Sequence, residues 1–516
     1  MFIQTVLIAI SLILTLLFFL YGFNHYYLLI SARRYRTPVL PEHPTARPAV
    51  SIQLPVYNEK YVIRRVVGAC ADMAEVYGIE KVRILILDDS NDDTIQEVDK
   101  VVEEYRKQHF QIEVLRRGCR DGFKAGALQS ALIRTEEEFI AIFDADFVPP
   151  VDFLLRTLPY FDQNEKLGII QSRWTHLNRN YNLLTRAISY AIDVHFLVEQ
   201  PGRYAAGIYQ NFNGSGGVLR KKAILESGGW QSDTLAEDLD LSYRMQILGY
   251  RIIYLRDLLC PGEIPPTIPN IKQQQGRWAC GALRVARKIL PLLLQNRKIG
   301  IRERYQAFIH LTGYIIQPLM VISFVLSLLA ALWGVTIFRA PQLDRLFSAY
   351  NAFFATKAVA LIFLQNLVWL SIVPLIALCT LAPWISLVSI LKIQNLPLAR
   401  NLASLLVLLL VSVGISLGTT RGVERGLFTN REWEWTRTPK YANLQNKQDW
   451  RMSKYPVQLD LLWMLEFMFV MLGLWAIETA IHHMDFNVLI ILVPFTLSYG
   501  FVLVFTILQS HRVKAS

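Results

Sequence analysis

Charge is scarce in this sequence, and two long stretches lack it altogether. Only 18% of the 516 residues are charged, whereas 53% are hydrophobic. No charged side chain occurs from Thr5 to Ile30 or from Ala307 to Gly334. Stretches of this length and composition cross the hydrocarbon core of a bilayer as helices. This shortage excludes an ordinary water-soluble protein, although the more polar stretch from about Pro41 to Gly300 can bury a core of its own.

Cysteine is also rare, and its positions form no recognisable pattern. The five cysteines show neither close pairing nor a C-x-x-C spacing: Cys70, Cys119, Cys260, Cys280 and Cys379. An odd number of scattered cysteines argues against a disulfide framework and supplies no zinc motif. We therefore expect reduced, structural thiols.

Basic residues are missing before the first apolar stretch, whereas Arg33, Arg34 and Arg36 follow it. That order is the reverse of a cleavable signal peptide. Because basic flanks stay in the cytoplasm, we predict a retained anchor, residues 1–36, and a cytoplasmic polar domain in a multi-pass protein of the cell or inner membrane. The net charge of +11 then reflects juxtamembrane clusters that attract membrane lipids, and we expect no nucleic-acid partner.

The polar domain, residues 37–270, alternates strand-like and helix-like segments. The strand patterns cover 50–54, 83–87, 112–115, 139–143 and 167–171, and helix patterns at 59–74 and 94–108 follow the first two. Several strands are apolar throughout, which is typical of a sheet covered by helices on both faces. The sequence therefore predicts an α/β nucleotide-binding fold with a mostly parallel sheet.

The rest of the chain is apolar with basic flanks. Residues 271–300 predict a helix in the membrane interface, and residues 301–420 predict spanning and interfacial helices. We place spans at about 307–335, 358–381, 457–481 and 488–508. Residues 401–417 are basic on both flanks, which favours an interfacial or re-entrant helix. With the anchor this gives five crossings, or seven as the alternative, and residues 456–516 hold the last two.

Two carboxylates end one apolar strand. Asp144 and Asp146 directly follow the run 139–143, so they lie at the carboxyl end of a strand, where open α/β sheets bind ligands. Two hard oxygen ligands beside a diphosphate can hold a divalent cation. An isolated pair of this kind is more often a simple strand end, so the interpretation depends on the rest of the chain.

Other polar residues follow the first and second strands or precede a helix. They are Tyr57 and Glu59, Asp88 and Asp89, and Lys124. Each segment could be a turn that leads into a capped helix. However, the carboxyl ends of strands in one sheet converge, and a cation at a helix start suits a diphosphate.

With motifs farther along the chain, these segments resemble the family 2 glycosyltransferases, whose nucleotide-binding domain has the GT-A fold. The loop 213–220, the pair Glu237-Asp238 and the run 274–278, Gln-Gln-Gly-Arg-Trp, are similar to three motifs of membrane-bound polysaccharide synthases. These motifs are the acceptor-side loop, T-E-D and Q-x-x-R-W. Ala236 departs from the pattern, since it stands where the motif usually has Thr.

Within that family, three further segments are similar to the cellulose-synthase-like A and C proteins, which make mannan, glucomannan or xyloglucan backbones. The segments are 143–149, 194–200 and 228–230. The resemblance implies a mixed, mostly parallel GT-A sheet between membrane helices. Residues 421–455, rich in Arg, Lys and Trp, resemble the gating loop of cellulose synthases or form a basic lipid-facing linker.

The resemblance also implies a role for each motif. Asp238 would be the catalytic base and Glu237 would orient it, while Asp144 and Asp146 would hold Mg²⁺ or Mn²⁺. The implied nucleotide-sugar contacts are Tyr57, Glu59, Asp88, Asp89 and Lys124, and the implied acceptor contacts are Gly214, Ser215, Gln274, Arg277 and Trp278. His195 and Glu199, four residues apart, lack a second His or Cys nearby, so we expect a packed or acceptor-side histidine rather than a metal ligand.

The expected activity is an inverting, metal-dependent transfer from UDP-glucose or GDP-mannose that elongates a β-linked polysaccharide and passes it across the membrane. The alternative is a non-processive transferase that glycosylates a lipid such as diacylglycerol, ceramide or a polyprenyl phosphate. A channel or scaffold with an inactive transferase domain is disfavoured, because Asp144, Asp146 and Asp238 are all present.

Overall fold

The computed structural model describes residues 2–41, 47–162, 164–334, 378, 380–429, 440, 460–483 and 486–511. Within these ranges, a sheet of seven strands lies between one N-terminal helix and a group of apolar C-terminal helices. The N-terminal helix is α1, Phe2–Ala32. The sequence prediction of a polar domain between apolar helices therefore matches the order of the elements.

The polar domain begins with four strand and helix pairs and continues with a less regular series. The first elements are β1 Val50–Val56, α2 Ile63–Tyr77, β2 Val82–Asp88, α3 Thr94–Lys107, β3 Gln111–Leu115, α4 Phe123–Arg134, β4 Phe139–Ile142, α5 Phe153–Thr157 and α6 Pro159–Asp162. The later ones are β5 Leu167–His176, α7 Leu183–Val194, a π-helix His195–Glu199, α8 Gln200–Ala206, β6 Gly217–Arg220, α9 Lys221–Glu226, α10 Glu237–Ile247 and β7 Arg251–Gly262.

The sheet is mixed and mostly parallel, in the order β3-β2-β1-β4-β6-β5-β7. Strands β1 to β4 run parallel, β6 is antiparallel to both β4 and β5, and β5 pairs with β7 in parallel. In the register, Val56 lies opposite Asp88, and Gln53 lies opposite Ile142. The ends of β1, β2 and β4 therefore open on the same edge of the sheet, as the fold prediction requires.

Apolar residues cover both faces of the sheet. Side chains of α2, α3 and α5 pack on one face, and side chains of α4, α9 and α10 pack on the other. Strands β1 and β4 are buried along almost their whole length, which explains their continuous apolar sequence. The helices on the two faces therefore hold in place the sheet edge that carries the polar loops.

The C-terminal part consists of helices. They are α11 Ile268–Gln295, α12 Ile301–Leu311, α13 Ile316–Leu332, α14 Thr380–Ile393, α15 Leu398–Gly414, α16 Ser416–Phe428, α17 Leu462–His482 and α18 Phe486–His511. In the described residues, four helices are long and apolar enough to cross a membrane, and a fifth span results if α15 and α16, bent by 45°, count as one. The first four correspond to the predicted anchor and to the spans predicted near 307–335, 457–481 and 488–508.

Some predictions lie outside the described residues. They concern most of the predicted span 358–381, the predicted loop 421–455 beyond Thr429 except for Lys440, and Cys379. The predicted interfacial segment after residue 271 forms one continuous helix, α11, with the 274–278 run. Cys70, Cys119, Cys260 and Cys280 are free thiols, as expected.

Candidate active site

A cavity of about 240 Å³ opens at the sheet edge where β1, β2 and β4 end. Its walls include most of the residues predicted for the site: Tyr57, Glu59, Asp89, Lys124, Asp144, Asp146, Gly214, Glu237, Asp238, Gln274, Arg277 and Trp278. The structure thus brings together side chains from the sheet edge, from the start of α10 and from α11. Asp88 and Ser215 do not line it, and their contacts are described below.

Lys124 joins the two sides of the cavity. Its Nζ lies 2.6 Å from Asp144 Oδ1 and donates to the Gly214 carbonyl at 2.9 Å. Glu237 Oε1 is 3.8 Å away. Burial alone would lower the pKa of Lys124, but Asp144, Glu237 and Asp238 together raise it above its ordinary value. Lys124 therefore remains a cation in the position that suits a diphosphate.

Asp144 and Asp146, the two predicted metal ligands, both line the cavity, but their side chains differ in exposure. The Asp144 side chain is 32% exposed and the Asp146 side chain only 6%. Asp146 Oδ2 accepts from the Glu263 backbone N–H at 3.1 Å and from Lys440 Nζ at 2.7 Å. Asp146 is thus the more enclosed of the two carboxylates.

The two carboxylates fit a divalent cation whose remaining ligands come from elsewhere. Among the described residues, no group of three or more His, Cys, Asp or Glu side chains could hold a metal ion. Magnesium is commonly bound by one or two carboxylates together with substrate phosphates. The hard oxygens of Asp144 and Asp146, beside Lys124, match that ligand set.

The predicted base-binding residues are held by arginines of the loop before α4. Arg120 Cζ lies 3.3 Å from the centroid of the Tyr57 ring, and Arg117 Nε donates to Asp89 Oδ1 at 3.0 Å. Arg116 Nε donates to the buried Asp88 at 2.8 Å. Asp88 is therefore engaged with Arg116 behind the cavity rather than in its wall.

Arg120 was not among the sequence-predicted site residues. It lines the cavity beside Tyr57 and Phe123, and burial lowers its pKa. A nucleotide base that approaches the covered face of the Tyr57 ring would meet the Arg120 guanidinium. The sequence feature that could have indicated Arg120 is the cluster of arginines just before Lys124, at positions 116, 117 and 120.

Asp238 and Glu237 begin α10 and line the cavity near Lys124. Burial and the neighbouring Glu237 raise the pKa of Asp238 to about 7, and burial also raises the pKa of Glu237. Leu239 N–H donates to Asp238 Oδ1 at 2.8 Å, which leaves Oδ2 directed at Gly214. A carboxylate with a pKa near neutrality is suited to take a proton from an acceptor hydroxyl.

Gly214 lies close to the Asp238 carboxylate, in a backbone conformation that favours glycine. Its φ is +80°, and a Cβ at this position would lie 2.8 Å from Asp238 Oδ2 and 3.3 Å from Lys124 Nζ. The next residue, Ser215, is fully buried and accepts at Oγ from the Asp144 backbone N–H at 3.0 Å. The predicted acceptor residue Ser215 thus acts on Asp144 rather than in the cavity wall.

Helix α11 supplies Gln274, Arg277 and Trp278 to the cavity. Burial lowers the pKa of Arg277, while Glu237 and Asp144 act in the opposite direction. A Cβ on Gly281 of the same helix would lie 2.9 Å from Ala236 Cβ. The departure at Ala236 therefore coincides with a tight contact between α11 and the residue that precedes Glu237.

Lys440 belongs to the predicted gating-like loop and lies in the cavity wall. Burial would lower the pKa of Lys440, but Asp146, Glu59 and Glu263 raise it. This contact joins residues 294 positions apart, which the local sequence cannot signal. Of that loop, the structure describes only this residue and the part up to Thr429.

Two family models match the sequence. The description of the longer match, residues 139–416, is "Glycosyl transferase family group 2", and that of the other, residues 51–212, is "Glycosyl transferase family 2". The longer match covers more than half of the chain and includes both Asp144 and the 274–278 run.

Curated relatives from plants are similar to about half of the chain or slightly more. "Probable glucomannan 4-beta-mannosyltransferase 2" of Oryza sativa subsp. japonica is 37% identical over 262 residues, 50% of this chain and 45% of the relative. "Glucomannan 4-beta-mannosyltransferase 1" of the same organism is 33% identical over 321 residues, 60% of this chain and 61% of the relative. The chain thus spans about half of the length of the curated relatives it matches.

A solved structure is similar in fold. It is "Mannosyltransferase PcManGT from Pyrobaculum calidifontis in complex with GDP-Man and Mn2+", with a TM-score of 0.51 and 20% identity, covering 73% of this chain and 98% of that one. The sheet order, this likeness and the family models agree on the GT-A fold. The chain belongs to glycosyl transferase family group 2.

Proposed function

We propose that this protein transfers a hexosyl unit from a nucleotide sugar to the hydroxyl end of a β-linked glycan, with inversion at the anomeric carbon. The observation that carries the proposal is the arrangement of the cavity. The diphosphate-binding group, Lys124 with Asp144, faces Asp238 across the Gly214 loop. A donor and an acceptor can therefore meet between a cation and a base.

In the proposed reaction, the acceptor oxygen forms a bond to the anomeric carbon while its proton passes to Asp238. The bond from that carbon to the diphosphate oxygen breaks, and the nucleoside diphosphate leaves. Lys124 and Arg277 line the cavity as cations and would stabilise the charge on the leaving group. Asp144 and Asp146 would hold Mg²⁺ or Mn²⁺, which supplies further positive charge to the diphosphate when bound.

GDP-mannose is the first donor to test, and UDP-glucose is the second. The curated relatives at 33% and 37% identity are named glucomannan 4-beta-mannosyltransferases, which supports a mannosyl donor and a mannan or glucomannan product. Trp278 beside Gln274 in the cavity wall offers an apolar face to a sugar ring.

We also propose that the glycan leaves through the membrane helices, with the donor on the cytoplasmic side. Helix α11, which carries Trp278, packs closely on α16, one half of the bent pair. The basic residues after α1, Arg33, Arg34 and Arg36, favour a cytoplasmic catalytic domain. These features support a path from the acceptor end directly into the membrane.

The deciding experiment uses the purified full chain in liposomes with radiolabelled GDP-mannose or UDP-glucose. The product is separated into polymer and organic-soluble glycolipid, and the polymer is digested with a linkage-specific mannanase or glucanase. We expect enzyme-sensitive polymer in the wild type and none with Asp238→Asn. A short organic-soluble product alone would instead establish the lipid-acceptor alternative.

A further inference from the structure

A π-helix interrupts the long helical segment that ends near the acceptor loop. It covers His195–Glu199 and joins α7 to α8. Such π-turns are rare and frequently lie at functional sites, because the extra residue re-aims the side chains of one turn. Here two side chains, His195 and Gln200, point toward Asn213, the residue immediately before Gly214.

The hydrogen bonds of Asn213 have a fixed direction. Gln200 Nε2 can only donate, so Asn213 Oδ1 is its acceptor at 2.8 Å. Asn213 Nδ2 then donates to His195 Nε2 at 3.0 Å. His195 must therefore carry its proton on Nδ1, which donates to Glu199 Oε2 at 2.8 Å. The chain Glu199–His195–Asn213 holds one imidazole tautomer and one amide orientation.

Glu199 is suited to maintain this arrangement. Burial would raise the pKa of its carboxyl, but His195, His25 and Arg203 lower the pKa well below its usual range. The same segment is fixed to α1, since a Cβ on Gly202 would lie 2.4 Å from the Leu28 carbonyl oxygen. The acceptor loop is thus connected through His195 to a helix segment that packs on the N-terminal anchor.

On its other side, the acceptor loop is held by Gln171 of β5 and by Lys124. The Asn213 backbone N–H donates to Gln171 Oε1 at 2.9 Å, and Lys124 Nζ donates to the Gly214 carbonyl. Gly214 approaches Asp238 so closely that it has no room for a Cβ. A shift of Asn213 would therefore move the backbone that faces Asp238.

We propose that His195, oriented by Glu199, is a positioning residue that sets the acceptor loop against Asp238 through Asn213. This inference rests on the proposed function, since it assigns His195 to the transfer step. The hydrogen bonds of His195 go to Glu199 and Asn213, so its direct effect is on the acceptor loop, whereas the donor side keeps the Lys124–Asp144 contact.

The test compares His195→Leu with His195→Gln in the liposome assay. Leu cannot accept from Asn213, whereas the Gln side-chain oxygen can take the place of Nε2. We expect His195→Leu to lower kcat for transfer by about 10- to 100-fold, the usual cost of a misplaced reacting group. His195→Gln should recover most of that loss, and Glu199→Ala should resemble His195→Leu.

Three further measurements separate positioning from a general structural effect. In His195→Leu, GDP affinity should stay within about twofold of the wild type, because this variant retains the donor wall. The thermal midpoint should hardly change, and the ratio of donor hydrolysis to sugar transfer should rise. Wild-type-like transfer, or a joint loss of GDP binding and thermal stability, contradicts the positioning role. Failure of the wild-type protein to turn over any nucleotide sugar contradicts the proposed function itself.

Discussion

At the scale of single residues, the cavity holds a cation and several carboxylates close together. Lys124 pairs with Asp144 and lies 3.8 Å from Glu237. Burial raises the pKa of both Glu237 and Asp238, and the charge of Glu237 raises the pKa of Asp238 further. A cation and a proton acceptor therefore lie a short distance apart in one cavity.

The role of Asp238 predicts the effect of Asp238→Asn. The amide keeps the size of the side chain but cannot take a proton, so we expect kcat to fall by about 10²- to 10⁴-fold. GDP affinity, measured by titration calorimetry, should remain close to the wild-type value because Lys124 and Asp144 are unchanged. Normal donor turnover in this variant would show that another group is the base.

The raised pKa of Asp238 predicts the pH dependence of the free enzyme. The base is active only when deprotonated, and its pKa is raised to about 7. The value of kcat/KM should therefore rise as pH increases through about 7 and should be low at pH 5. Glu237→Gln removes the neighbouring negative charge, so the midpoint of that rise should move to lower pH. A profile that is flat between pH 5 and 8 would contradict this assignment.

Metal removal should act on donor binding through Asp146 and Asp144. We expect EDTA to weaken GDP binding in the wild type, and Mn²⁺ to restore it. In Asp146→Ala, GDP affinity should be low and no longer respond to Mn²⁺. A metal response equal to that of the wild type would exclude Asp146 as a ligand. Asp72→Ala, an exposed change on α2, controls for the loss of a negative charge alone.

At the scale of elements, two helices approach each other closely beside the cavity. A Cβ on Gly422 of α16 would lie 2.3 Å from the Gly276 carbonyl oxygen of α11. Gly276 lies between Gln274 and Arg277, so the contact with α16 fixes the position of the turn of α11 that lines the cavity. Glycine at this crossing allows two backbones to touch, which is a common device between membrane helices.

This crossing predicts opposite results for two glycines of α16. In Gly422→Ala the added methyl group would collide with the backbone of α11. We therefore expect the free energy of unfolding to fall by about 1–3 kcal/mol and the transfer activity to fall by about tenfold or more. Gly418→Ala is the matched control, because its Cβ would meet only side-chain atoms at 3.7 Å. That variant should be as active as the wild type. Equal activity of the two variants would show that the close approach does not position α11.

The elements also show which parts of the fold were predictable. Strands β1 and β2 were found because they are apolar runs that end in polar loops, and the motif residues were indicated by their resemblance to those of a known family. Strand β7 was missed, since its burial alternates irregularly along Arg251–Gly262. The antiparallel position of β6 depends on partners in β4 and β5, which no local pattern specifies.

The same reasoning explains the gaps in the site prediction. The sequence indicated Asp144 by its place at a strand end, and Asp238 and Arg277 by resemblance to a family, but it could not show that Asp88 turns toward Arg116. It also missed Arg120 over Tyr57 and Lys440 on Asp146, because these contacts form only when distant segments fold together.

At the scale of the whole molecule, a buried ion pair joins the cavity-lining helix α11 to the apolar helix α17. Lys272 Nζ of α11 lies 2.6 Å from Glu466 Oε1 of α17, and their side chains are only 3% and 0% exposed. Lys272 precedes Gln274 by less than one turn. Ionisable residues in membrane segments are rare and commonly paired, so this contact fixes the cavity-lining helix relative to the apolar helices.

The pair predicts a non-additive effect on stability. Glu466→Leu alone leaves the buried Lys272 charge with only Asp460, whose Oδ1 is 3.6 Å away, so we expect the free energy of unfolding to fall by about 3–5 kcal/mol. In the double variant Lys272→Met with Glu466→Leu, both charges are replaced by apolar groups, and we expect most of the stability to return. The thermal midpoint in detergent measures Lys272→Met, Glu466→Leu and the double variant, and Glu478→Leu on the same helix is the control. Because α11 also carries Arg277 and Trp278, the double variant should regain its fold while transfer activity stays reduced if the ion pair orients the helix. A loss in the double variant equal to the sum of the two single losses would show that Lys272 and Glu466 contribute independently.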